Sequence, residues 1–170
     1  MADASKTRIL DAEQIEQKIQ LIARQIIELL WDEDAVWLIG VGGRGEEVAK
    51  RLHLILREIS PAAFHLGTIK LHKDNPLDHP IVFDGIRAED LNGQSIVLVD
   101  DVLNSGRTLM HAAKALLDCA PARVSTAVLV DRYHRSFPIR ADFCGLTLST
   151  NLKEHIEVVL TPGSEAAYLT

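Results

Sequence analysis

The sequence predicts an α/β fold, a mainly parallel twisted sheet flanked by helices. Two observations carry this. Apolar runs of strand length alternate with stretches whose apolar residues recur at helical spacing, an order that right-handed crossovers turn into parallel strands. Small-residue turns, Gly42-Gly43-Arg44-Gly45 and Asn104-Ser105-Gly106, follow two of those runs, where such sheets bind ligands. The 170 residues are 47% hydrophobic and 25% charged. That suits one domain with one sizeable core, so residues 1–170 are read as a single unit.

Asp11 opens the first helix, with Gln14 three residues on as in a capping box. Ile15, Ile19, Ile22, Ala23, Ile26 and Leu30 then share a face, and Trp31-Asp32-Glu33-Asp34 closes the helix. Residues 35–41 read as a buried strand. The glycine turn leads into a helix over 46–59, with Val48, Leu52, Ile55, Leu56 and Ile59 on one side. Residues 64–71 read as a second strand. Residues 72–80 carry Asp74-Asn75-Pro76 and read as a loop. Residues 81–90 are ambiguous between a short strand and a turn, and Asn92-Gly93 is a tight turn signal. An apolar strand from Ile96, a helix over 107–119 and a buried strand over 124–130 follow, with shorter strands at 140–146 and 157–160.

Composition excludes several classes. No apolar stretch is long enough to span a membrane. The opening Met1-Ala2-Asp3-Ala4-Ser5-Lys6 lacks the apolar core of a signal peptide. Cys119 and Cys144 sit in apolar contexts without metal-ligand spacing to a His, which favours reduced thiols and a cytoplasmic setting. A net charge of −6 disfavours broad non-specific nucleic-acid binding, while leaving room for a local basic patch.

The most informative stretch is Ile96-Val97-Leu98-Val99-Asp100-Asp101-Val102-Leu103-Asn104-Ser105-Gly106-Arg107-Thr108. Backbone N–H groups at such a turn and helix start converge on an anion, most commonly phosphate. Two adjacent carboxylates would repel a simple phosphate. They suit a ligand that also offers hydroxyl donors or a divalent cation, such as a phosphorylated sugar with a free vicinal diol. The glycine turn around Arg44 supplies a second anion site, since its backbone allows close approach and the guanidinium fits phosphate oxygens. Two such sites at neighbouring strand ends suit a ligand with phosphates at both ends. The rival readings are an ordinary strand–loop–helix with surface acids, and a receiver-type acid pocket. Receivers usually place their acid pair after the first strand, whereas this pair lies past mid-chain.

The 96–108 segment resembles the phosphoribosyl diphosphate (PRPP) signature of the type I phosphoribosyltransferases. Residues 127–143 read Ala-Val-Leu-Val-Asp-Arg-Tyr-His-Arg-Ser-Phe-Pro-Ile-Arg-Ala-Asp-Phe. They resemble the bifunctional pyrimidine operon attenuator/uracil phosphoribosyltransferase family, whose pattern runs Val-Leu-Val-Asp-Arg-Gly-His-Arg and then Pro-Ile-Arg-Ala-Asp-Tyr. The resemblance covers nearly the whole chain, to about Val159. Departures are Tyr133 for Gly, Phe143 for Tyr, Gly42-Gly43 for Lys-Thr, and a shortened region over 72–90.

The resemblance implies the type I phosphoribosyltransferase fold, with a small hood from about 131–160 plus part of the N-terminal segment. It implies transfer of ribose-5-phosphate from PRPP to a nucleobase, uracil foremost, with release of pyrophosphate. Asp100 and Asp101 would bind the ribose hydroxyls and Mg2+, the metal largely through ligand or water. Asn104, Ser105, Gly106, Arg107 and Thr108 would hold the 5′-phosphate. Gly42, Gly43, Arg44, Gly45 and the loop residue Lys73 would hold pyrophosphate, although Lys73 reads equally as a solvated lysine. Asp131, Arg132, Phe143 and Cys144 would face the base, with core packing as the other reading of Phe143. Asp131 stands where oxopurine-specific relatives carry a Lys, which argues for a pyrimidine. Expected partners are PRPP, a nucleobase and further copies of the chain, with no membrane. RNA is a rival partner in an attenuator reading, through Lys18, Arg24, Arg135, Arg140, Lys153 and His155. A third reading is a weakly active relative that senses nucleotides or uses another base.

Overall fold

The computed structural model describes residues 6–170. The signal-peptide reading at the extreme N-terminus lies mostly outside the described residues. The chain forms β1 (Thr7–Leu10), α1 (Ala12–Leu29), β2 (Ala35–Val41), α2 (Arg44–Ile59), β3 (Ala63–Lys70), β4 (Val82–Asp84), a 3₁₀ turn (Ala88–Leu91), β5 (Ser95–Leu103), α3 (Arg107–Leu117), β6 (Arg123–Asp131), β7 (Phe143–Thr147), β8 (Ile156–Val159) and β9 (Ala166–Leu169).

Six strands make the main sheet in the order β4-β3-β2-β5-β6-β7. All pairs are parallel except the edge pair β3–β4. Alternation along the strands serves two apolar layers. Leu38, Val97, Val99 and Leu129 face α1 and α2, whereas Ile39, Val41, Ile96 and Leu98 face α3. The capping box forms as the sequence predicts: Asp11 Oδ1 accepts from Gln14 N at 2.8 Å, and Asp11 N donates to Gln14 Oε1 at 3.0 Å. Ile15, Ile19, Ile22, Ala23 and Ile26 are fully buried along that helix.

A second, antiparallel sheet, β1-β9-β8, lies apart in the sheet order. It joins the first described strand to the last, in the register Thr7↔Leu169. The segment expected as a hood, about 131–160 plus part of the N-terminal segment, divides between the two sheets. Residues 143–147 belong to the main sheet as β7, paired with β6 through Ala127↔Phe143. The small sheet consists of 7–10, 156–159 and 166–169. Neither β1 nor β9 follows from the apolar pattern.

Candidate active site

β2 and β5 are neighbours and parallel, so the turns at their carboxyl ends lie side by side. The approach is close because small residues allow it. A Cβ on Gly45 would lie 2.8 Å from Asp100 Oδ1 and 2.9 Å from the Val99 carbonyl oxygen, and one on Gly40 would lie 2.6 Å from Glu46 Cα. The start of α2 is thereby seated on the carboxylate pair. Gly43 caps α2 at φ 81°, ψ −121°, and Gly106 caps α3 at φ 90°, ψ −3°. Both conformations suit glycine. They present two sets of helix-terminal N–H groups that have no intrahelical acceptor.

Asp100 and Asp101 are each 3% exposed. Asp100 Oδ1 accepts from Asp101 N at 2.9 Å and from Lys73 Nζ at 3.1 Å. Lys73 Nζ also stands 3.8 Å from Asp101 Oδ1. Arg44 Nε lies 2.8 Å from Asp101 Oδ2. Its N–H is not aimed at that oxygen, which is buried without a hydrogen bond. Burial first, and the charge of Asp101 second, push Asp100 up from the ordinary carboxylate range to about 7, against the opposing pull of Lys73. Two cations thus gather on a buried acid pair. Among the described residues no third carboxylate, His or Cys joins the pair to make a protein-only metal site.

These groups line one cleft of about 350 Å³, with Arg44, Lys73, Asp74, Asp100, Asp101, Asn104, Ser105, Arg107 and Thr108 around it. Of the expected donor-site residues, the cleft collects the acids, Arg44, Lys73 and most of the 104–108 turn. Gly106 lies behind it, lining an adjoining crevice with Asp100 and Thr108. Gly43 and Arg44 border a neighbouring groove with Val158 and Leu160. The small sheet reaches this corner directly: Arg44 Nη1 donates to Val158 O at 3.2 Å.

The sequence of residues 5–163 matches the phosphoribosyl transferase domain. The chain belongs to the phosphoribosyltransferase family. This phosphoribosyltransferase is 38% identical over 156 residues to the bifunctional protein PyrR of Actinobacillus pleuropneumoniae, covering 88% of this chain and 87% of that one. It is 39% identical over 158 residues to the PyrR protein of Streptomyces coelicolor, covering 89% and 82%. In three dimensions it resembles the hypoxanthine phosphoribosyltransferase of Trypanosoma cruzi, with a TM-score of 0.78 at 15% identity, covering 97% of this chain and 96% of that one. At that identity the likeness speaks for the fold alone.

On the base side, the phosphoribosyltransferase departs from the sequence reading. Phe143 is 2% exposed and packed in the core under α1, so its ring has no free face for a base to stack on. Arg132 is 5% exposed and turned away, donating to Thr150 Oγ1 at 2.6 Å and Asn151 O at 2.9 Å. Cys144 N donates to Gln25 Oε1 at 3.2 Å. Burial raises the Cys144 thiol above its usual range. Asp131 is capped by its own loop, accepting from Tyr133 N at 2.8 Å and from Arg135 Nη2 at 2.7 Å. It lines a separate groove with Tyr133, Phe137 and Thr147. Tyr133 holds φ 53°, the left-handed conformation that glycine adopts more readily.

Sequence reasoning missed Val102 and Ile156. They are the two apolar residues that line the cleft. Val102 was hidden inside a strand run, and Ile156 comes from the small sheet.

The turn has room for a side chain at Gly42. A Cβ on Gly42 meets Ile69 O at 3.6 Å and Lys70 Cγ at 3.7 Å, which is ordinary contact. Gly42→Lys should therefore fold normally and bind pyrophosphate several-fold more tightly, because it adds a cation at the turn. Calorimetric titration of pyrophosphate checks this; unchanged or weaker binding contradicts it.

Proposed function

We propose that this enzyme transfers ribose-5-phosphate from PRPP to uracil, giving UMP and pyrophosphate. The observation that carries the donor half is the buried Asp100–Asp101 pair set between two helix starts, with Arg44 and Lys73 on its rim. The acids accept from the two ribose hydroxyls. The N–H groups of the 104–108 turn hold the 5′-phosphate, while Arg44 and Lys73 hold the pyrophosphate. No protein nucleophile is required. C1 of the ribose becomes oxocarbenium-like as pyrophosphate departs, and the site acts by alignment and by fixed charge.

The donor set fits Mg2+ held jointly with the substrate. Two buried carboxylates, one with an oxygen lacking any hydrogen bond, suit a hard cation that keeps waters and takes phosphate oxygens. When bound, Mg2+ neutralises charge on the leaving pyrophosphate. On this reading the acceptor packs against Val102 and Ile156, the apolar residues that line the cleft. Asp131 supports a pyrimidine indirectly: its carboxylate is occupied by N–H donors and cannot itself donate to a purine oxygen.

RNA is left out of this reading. α1 carries Lys18 and Arg24 beside Glu13, Glu16 and Glu28, a charge balance that does not favour phosphate contacts along it. The deciding experiment is pyrophosphate release from PRPP and Mg2+ against uracil, cytosine, hypoxanthine, guanine and adenine. Uracil should give the highest kcat/KM. Asp101→Asn should lower it about a hundredfold or more, and near-normal turnover in that variant sinks the assignment of the acid pair.

A further inference from the structure

The turn that holds the 5′-phosphate does not shape itself. Within it, the one side-chain bond is Arg107 N to Ser105 Oγ at 3.3 Å. Its carbonyls are tied instead to the segment after β6. Leu103 O accepts from Arg132 N at 3.0 Å, and Ser105 O accepts from Ser136 N at 2.9 Å and Phe137 N at 3.0 Å. The carbonyl between them, Asn104 O, accepts from a side chain, Arg135 Nη1, at 3.3 Å. Three successive carbonyls are thus drawn to one side.

The direction of the N–H groups follows. In a trans peptide the C=O and the next residue's N–H point opposite ways. Pulling the carbonyls of Leu103, Asn104 and Ser105 backward aims the N–H groups of Asn104, Ser105 and Gly106 forward, into the anion site. For the Leu103 and Ser105 carbonyls the anchor is backbone. For the middle one it is Arg135 alone.

Arg135 is itself held in place. Its Nη2 lies 2.7 Å from both Asp131 oxygens, and Asp131 is mostly buried at the end of β6. The Arg107 guanidinium stands 5.8 Å from the centre of the Phe137 ring, on the same brace.

We infer that Arg135, anchored by Asp131, is a positioning residue for PRPP: it fixes the Asn104 peptide so that the Ser105 N–H meets the 5′-phosphate. Asp131 then serves the donor through Arg135. This rests on the donor half of the proposed function and is independent of the choice of base.

The test therefore uses no acceptor. PRPP with Mg2+, and pyrophosphate with Mg2+, are titrated separately into wild type, Arg135→Gln and Arg135→Lys, alongside thermal melts. Loss of one charge-assisted contact should weaken PRPP about tenfold in Arg135→Gln. Pyrophosphate has no 5′-phosphate, so its affinity should not change. Lysine keeps the charge but cannot span Asp131 and Asn104 O together, so Arg135→Lys should fall between wild type and the Gln variant. Unchanged PRPP affinity in Arg135→Gln overturns the inference, as does a parallel loss of PRPP and pyrophosphate binding. If the Gln variant fails to melt cooperatively, Arg135→Lys decides, and wild-type PRPP affinity there overturns it. Failure of wild type to bind PRPP would instead reject the donor assignment itself.

Discussion

Asp100→Asn should make the free protein harder to melt and leave it almost inactive. Asp100 is held at about 7 in the fold, against about 3.9 for an unperturbed Asp. The folded state therefore binds the proton more tightly than the unfolded chain does. The stability this confers is complete below about pH 4 and is lost as the pH rises towards 7. Above pH 7 the fold carries a buried, repelled carboxylate at a cost of order a few kcal/mol, offset in part by Lys73. Asparagine removes that charge and still offers an oxygen to Asp101 N. At pH 5 the variant should melt close to wild type. At pH 8 it should melt about 5 °C higher. PRPP-dependent turnover should fall about a hundredfold or more, because an amide no longer offers the charge that the ribose hydroxyls and cation require. Equal melting temperatures at pH 8 would remove the electrostatic explanation. Retained turnover would remove the functional one. The pattern is the usual exchange of stability for a poised site.

Gly45→Ala should damage fold and activity together. The added carbon would meet Asp100 Oδ1 at 2.8 Å, Val99 O at 2.9 Å and Asp100 Cα at 3.0 Å. Two of these are backbone atoms of a central strand, which cannot step aside cheaply. Overpacking of this kind costs about 2 kcal/mol, a melting-point drop of about 4–8 °C for a chain of this size. The helix start must also lift from the carboxylates, so kcat/KM for PRPP should fall more than tenfold. Gly43→Ala is the comparison. It meets nothing within 4 Å and is opposed only by its positive φ. A Gly45→Ala protein with wild-type melting and kinetics would show that the close approach is not required.

The cleft around the acid pair was legible because its chemistry is contiguous. The acid pair, the turn and the helix start follow one another within 96–108, and Gly42 to Gly45 do the same after β2. The residues expected to face the acceptor were legible only in part. Arg132 and Phe143 lie in the most recognisable segment of the chain, yet one is tied down by Thr150 and Asn151 and the other is sealed under α1. A local pattern does not say which way a side chain turns at a strand end. Val102 was masked by an apolar run that reads as core throughout. Ile156 reaches the cleft from a four-residue strand about fifty positions away. The small sheet escaped for a related reason. β1 and β9 are four residues each and pair across nearly the whole chain, so neither has a local partner to betray it. α2 begins at Arg44, two residues earlier than its apolar face suggests, because Gly43 supplies the turn.

The pairing of Thr7 with Leu169 also sets the mechanical behaviour of the molecule. These residues sit at the same end of an antiparallel pair. A load that separates them bears on one hydrogen-bond pair at a time, the unzipping geometry, rather than on the whole ladder in shear. Tension between the two ends should peel β1 from β9 at low force, while the parallel main sheet stays intact. β8 pairs with β9 and holds Arg44 through Val158 O. The strand that holds Arg44 thus lies on the far side of β9 from the strand that yields first.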